Sequence, residues 1–335
     1  MKKSFFSIDW RSFALFLATT LCCLLFLEIF MRWYIFGSNA WSYSQMKSVR
    51  HVGQSGLLQA SSDLDVLWEL RPNLDTNYKL WPFKTNSNGL RDKEYELSKP
   101  ADTIRIAVIG DSFTMGEGIA IEDAYHSLLE ERFNAAGDGK KFDFINFGVA
   151  GYSFVQYLGT IRRKVAKFHP DMILMGFCAA NDSKVPNMEA FTKPYVVKPT
   201  INGFFHFHSL ELLGDIYKDH YKKFLGRYSG YNADEKYVDQ QFSELAKLTA
   251  ELNIPLVVAY IDNKGASSDL DMVKNAANKY GYEFIDGTVN FAHDLSSDHI
   301  IYLTDNHPNA AANRIFADTI FPALRSTSTF KKLIQ

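Results

Sequence analysis

Two segments far apart in the chain carry side chains that together suit acyl transfer. Gly110-Asp111-Ser112-Phe113-Thr114-Met115-Gly116 directly follows the apolar run Ile104 to Ile109. A serine on a sharp strand-to-helix turn exposes its hydroxyl, and nearby backbone N–H groups can face a developing oxyanion. The tripeptide alone also fits an ordinary turn with Ser112 as a helix N-cap. Near the far end stands Asp305-Asn306-His307-Pro308-Asn309, just before a helical stretch. A serine hydroxyl is a weak nucleophile until a base takes its proton, and histidine is the usual base near neutral pH. Asp305, two residues before His307, can turn toward the ring within one loop and orient it. Between these segments lie Asn146-Phe147-Gly148-Val149-Ala150-Gly151 and Ala179-Ala180-Asn181-Asp182. The Gly151 N–H and the Asn181 amide can both donate to an oxyanion. Taken singly, Gly151 reads as a turn and Asn181 as a helix cap.

Such residues work only if strands and turns bring them to one edge. From 104 onward the pattern alternates strand and helix. Strands are expected at 104–109, 142–147, 172–178, 254–261 and 282–285, and helices at 121–135, 153–168, 236–252, 269–281 and 308–325. Short apolar strands separated by helices predict a parallel sheet covered on both faces. The expected fold is therefore a three-layer α/β/α sandwich of about five strands, flavodoxin-like in outline. Residues 183–234 break this rhythm and read as a helical insertion at the carboxyl end of the sheet, where open α/β sheets bind ligands. Residues 37–100 read as a linker and a small appendage of short strands and turns, with 101–330 as the main domain.

The four segments, in this order and each after its strand, resemble the blocks of the SGNH (GDSL-like) hydrolase superfamily over about residues 104–325. The resemblance implies Ser112 as nucleophile, His307 as base, and an oxyanion hole made by Ser112 N–H, Gly151 and Asn181. LRPN at 70–73 and TNSNGLRD at 85–92, leading into GDSFTMGEG, are similar to membrane-anchored members from bacterial envelope and polysaccharide systems. Two positions depart from the family pattern. Ala179 replaces a glycine, and Thr304 occupies the position three before the histidine where the family usually has aspartate. The shorter Asp305 spacing occurs in related members, so Asp305 completes a triad or Ser112 and His307 act as a dyad.

The remaining chemistry is sparse. His299 follows Asp298 but lacks a following helix. His206 and His208 are two apart with no carboxylate or cysteine cluster, and His126 and His169 look like helix-surface or loop residues. No metal or cofactor is implied. Cys178, in the apolar run MILMGFC, reads as a buried small hydrophobe. The net charge of −2 gives no basic excess for nucleic acid.

Residues 1–36 stand apart. Phe13 to Phe36 is long enough to cross a hydrocarbon core, with Glu28 and Arg32 spaced to pair across one helical turn. Lys2, Lys3 and Arg11 precede the span and Arg32 lies near its end. That bias places the N-terminus in the cytoplasm and the catalytic domain outside, at a bacterial inner membrane. Ser38-Asn39-Ala40 also fits a signal-cleavage site, although the apolar stretch exceeds a signal h-region. The expected activity is a serine esterase removing O-acyl groups, chiefly acetyl, from an envelope or secreted glycan. A glycan O-acyltransferase served by a membrane partner, or a non-catalytic polysaccharide-assembly protein, fits the same residues.

Overall fold

A computed structural model describes residues 9–36, 41, 55–137, 139–186, 234–261, 269–288, 300–302 and 305–335, without the side chains of 34–36, 180, 300–302, 305 and 306. The chain divides into two compact units. In the first, α1 runs over Trp10–Phe36, and Trp10–Trp33 is long and apolar enough to cross a membrane. The expected pair within it forms, Arg32 Nε donating to Glu28 at 2.8 Å.

The second unit begins with two small antiparallel ribbons. Strand β1 (Leu58–Ala60) pairs with β2 (Trp68–Leu70), and β3 (Asp75–Tyr78) pairs with β4 (Trp81–Lys84). The latter ribbon turns through two residues only, Lys79 and Leu80, at φ 47° and 71°. A two-residue hairpin of this kind needs left-handed backbone, which normally selects Asn and Gly.

A five-stranded parallel sheet follows: β5 (Thr103–Ile109), β6 (Lys141–Asn146), β7 (Met172–Phe177), β8 (Leu256–Tyr260) and β9 (Glu283–Asp286), ordered β6-β5-β7-β8-β9. The sequence pattern is sound here because continuous apolar runs are what doubly covered strands require. The pleat sorts the side chains cleanly. Ala107, Ile109, Ile173, Met175, Val258 and Tyr260 join one apolar cluster, whereas Ile106, Val108, Leu174, Val257 and Ala259 join another.

Helices cover both faces. After β5 comes the short α2 (Ser112–Met115), then α3 (Tyr125–Ala135); α4 (Phe154–Arg163) follows β6 and α5 (Ala179–Asp182) follows β7. Downstream lie α6 (Glu235–Leu252), α7 (Leu270–Lys279), α8 (Ala310–Ser326) and α9 (Ser328–Leu333). Residues of α4, α6 and α7 enter the first cluster, and those of α3, α8 and α9 the second. Trp68, Tyr78 and Phe83 of the small ribbons share the first cluster with the sheet. The ribbons thus grow out of the same core. The insertion expected at 183–234 lies, from 187 to 233, outside the described residues.

Sequence and structure differ in two places. Strand β10 (Ile300–Tyr302) pairs antiparallel with β11 (Asp305–Pro308), so His307 sits on a strand and not in a loop. His126 is not on a helix surface but 1% exposed. Burial, then the nearby charges of Arg91 and Lys93, holds its imidazole down to about 3, so it stays neutral.

Backbone packing fixes where α2 can lie. A Cβ on Gly148 would stand 2.4 Å from Met115 N and 2.7 Å from the Thr114 carbonyl carbon. Gly148→Ala must therefore push α2 outward. It is expected to lower unfolding free energy by about 1–3 kcal/mol, read from the urea midpoint.

Candidate active site

Strand β5 lies between β6 and β7, the point where the strand order reverses. A crevice opens outside the carboxyl ends of strands at such a point. Ser112, Gly151 and Asn181 all follow the carboxyl ends of these three strands.

The Ser112 turn is closely held. Asp111 caps α2, its Oδ1 accepting from Phe113 N–H at 2.9 Å. At φ 77°, Gly116 ends the helix in left-handed backbone and reverses the chain. Arg91 donates to the carbonyls of Met115 at 3.1 Å and Ile119 at 2.7 Å, and also to that of Gly116. Thr114 points inward, 2.8 Å from the Tyr125 hydroxyl, into space left by two glycines. A Cβ at Gly110 or Gly176 would collide with its Oγ1.

His307 Nε2 lies 2.8 Å from Ser112 Oγ. The Phe113 ring meets the imidazole edge-on, with centroids 5.7 Å apart. Asn313 of α8 holds the following backbone. Its Nδ2 donates to Pro308 O at 3.2 Å and Asn309 O at 3.0 Å, and its Oδ1 accepts from Tyr125 N–H at 3.1 Å. Asn309 caps α8 by accepting from Ala312 N–H at 3.1 Å. The Cα of Asp305 pairs with Tyr302 across the ribbon. Its side chain, and His206, His208 and His299, lie outside what is described.

The oxyanion candidates are equally constrained. Asn181 Nδ2 donates one hydrogen to Asp111 Oδ2, which leaves its second hydrogen for a ligand. Gly151 turns at φ 78°. The preceding carbonyl, of Ala150, accepts from Trp68 Nε1 at 3.1 Å, and the next side chain, Tyr152, donates to Trp68 O at 2.6 Å. Among the described residues, neither Ser112 N–H nor Gly151 N–H donates to a protein acceptor.

Among the described residues, three acidic groups lie beside this set. Burial pushes Asp111 up to about 6, opposed by the Phe113 N–H, Asn181 and then His307. Burial, reinforced by Asp111, raises Asp182 well above the usual carboxylate range, although it accepts from Cys178 N–H at 2.8 Å and Tyr157 at 3.0 Å. Glu117 was not singled out from the sequence. Its Oε2 stands 3.5 Å from His307 Nε2, while Oε1 accepts from the Tyr78 hydroxyl at 2.7 Å and from Lys79. Arg91, Lys79 and Asn313 also escaped sequence reasoning. The one available signal was the run Gly116-Glu117-Gly118, a lone charge between glycines.

His307 Nε2 thus stands against the Ser112 hydroxyl, and Asn181 is tied to Asp111, the residue before Ser112. A family model described as GDSL-like lipase/acylhydrolase matches residues 106–320. Similar solved structures include an α/β hydrolase, LAE5, from the metagenome of Lake Arreo, with 16% identity, 66% of this chain and 94% of that chain covered, and a TM-score of 0.42. A two-domain esterase active on acetylated mannans gives 16% identity, 68% and 50% coverage, and 0.45. A mutant of an acetyl-xylooligosaccharide esterase from Geobacillus gives 14%, 67% and 95%, and 0.42. No curated protein matches the chain.

The raised Asp111 carboxyl has a measurable consequence. Its folded value, about 6, exceeds the ordinary aspartate value of 3.8. Its contribution to stability is thus complete below about pH 4 and is lost as pH rises through 6. Asp111→Asn removes that loss. From pH 4 to pH 8 the unfolding free energy of the variant is expected to gain on wild type by up to about 3 kcal/mol in urea titrations. Its esterase rate is expected to fall, because an asparagine has one acceptor oxygen and cannot accept from both Phe113 N–H and Asn181.

Proposed function

The chain belongs to the GDSL-like lipase/acylhydrolase family and is an ester-bond hydrolase, and on that premise we propose that it works through an acyl-serine at Ser112. The 2.8 Å approach of His307 Nε2 to Ser112 Oγ carries the reading. His307 takes the hydroxyl proton as Oγ attacks the ester carbonyl. The N–H groups of Ser112 and Gly151, with the free hydrogen of the Asn181 amide, receive the oxyanion. His307 then protonates the leaving alcohol. Water, deprotonated by the same imidazole, releases the acid and restores Ser112. Asp305 is assigned to orient His307.

The proposed substrate is an O-acylated, chiefly O-acetylated, glycan of the envelope. The motifs at 70–73 and 85–92 support this, because they resemble those of envelope members. A membrane-crossing α1 with Lys2, Lys3 and Arg11 on its cytoplasmic side would hold the hydrolase outside the inner membrane.

The test is turnover of p-nitrophenyl acetate and of an acetylated polysaccharide, beside fluorophosphonate labelling read by mass. Wild type is expected to release acetate and to label on Ser112. Ser112→Ala and His307→Ala should each lower kcat/KM by about 10³-fold or more. Asn181→Ala should lower it by about 10²–10³-fold. A folded wild type that neither labels nor turns over would refute the mechanism. Release from p-nitrophenyl acetate but never from glycan would refute the substrate class.

A further inference from the structure

One buried ion pair beside the base is not used by the mechanism above. Glu117 is 5% exposed and Lys79 6%. They come from different parts of the chain, Glu117 from the turn after α2 and Lys79 from the tip of the β3–β4 hairpin. The hairpin reaches this position by holding two consecutive non-glycine residues at positive φ, 47° at Lys79 and 71° at Leu80. Such backbone persists only where its surroundings enforce it, and it clusters at functional sites. Here it brings the Lys79 ammonium onto Glu117 Oε1 while the other oxygen faces His307.

The geometry sets up a competition for one nitrogen. Ser112 Oγ at 2.8 Å and Glu117 Oε2 at 3.5 Å both address His307 Nε2. A carboxylate this close favours the imidazolium, and a protonated Nε2 cannot take a proton from Ser112. Cations on the far side of Glu117 weaken that pull. Lys79 contacts it directly, and Arg91 interacts with its charge. Among the described residues, Tyr78 also donates to Glu117 and the charge of Asp111 acts on His307, with Asp305, assigned above to the same imidazole, adding a second carboxylate.

We propose that the tip of the β3–β4 hairpin completes the active site: Lys79, acting through Glu117, keeps the base His307 neutral and directed at Ser112. Lys79 and Glu117 are positioning residues, since neither touches the reacting ester. The inference rests on the reading of Ser112 and His307 as nucleophile and base.

The experiment measures the acid limb of kcat/KM with p-nitrophenyl acetate, using the full chain in detergent. Lys79→Met is expected to move the limb up by about one pH unit, a tenfold loss at any pH on the limb. Glu117→Gln should move it down by a similar amount. The double variant should behave as Glu117→Gln alone, and Lys79→Arg should restore the wild-type limb. A limb that stays in place in Lys79→Met, or that Lys79→Met still moves when Glu117 is already Gln, overturns the proposal. Should Lys79→Met fail to fold, as judged by its melting curve, a Glu117→Gln limb coincident with wild type overturns it instead. Failure of the underlying mechanism looks different, because wild type itself would then neither label with fluorophosphonate nor turn over.

Discussion

A turn that ends a strand, presents a hydroxyl and reverses within a few residues leaves backbone carbonyls without partners. Arg91 supplies donors to three of them, those of Met115, Gly116 and Ile119. A planar guanidinium suits this role because its donors are fixed in a fork and its charge is diffuse. Burial is costly for any cation and depresses Arg91 to about 10, with Glu117, then Glu122 and Tyr78, acting in the opposite sense. Its plane also lies 4.6 Å from the centroid of Phe83, on the small ribbon. The Ser112 turn is thus held by a residue that precedes the sheet in sequence. Glu117, whose charge acts on that residue, lies beside His307.

Carboxylates around the crevice follow from the same economy of space. Asp111, Asp182 and Glu117 are all buried, and each accepts at least one specific donor. Desolvation dominates the raised proton affinity of both Asp111 and Asp182, and the charge of Asp111 adds to that of Asp182 only secondarily. The arrangement turns a solvation problem into orientation. A carboxylate that must find donors fixes the groups that supply them, and Asn181 is one of those groups.

The sheet was legible because burial on both faces writes itself as unbroken apolar runs, and each expected strand between 104 and 285 lies within a few residues of its observed bounds. Ser112 and His307 were legible because each stands in a short motif at the end of an element, and the structure brings them together. Glu117 was not, since nothing in its spacing says that left-handed Gly116 swings it toward a histidine on a distant ribbon. Lys79 was hidden for a second reason. Its turn contains neither Asn nor Gly, so the hairpin left no local signature. The buried state of His126 escaped notice because helical periodicity says nothing about which loop covers a face.

Chain connectivity adds a temporal property to this geometry. Ser112 and His307 are 195 residues apart, and the Tyr125–Asn313 contact that seats the histidine backbone spans 188. At a synthesis rate of about 5–20 residues per second, Ser112 precedes His307 by about 10–40 s. During that interval the strands β6 to β9 are made, while Ser112 has no imidazole beside it. The Ser112–His307 contact is therefore completed only late in synthesis, once β11 and α8 follow the sheet.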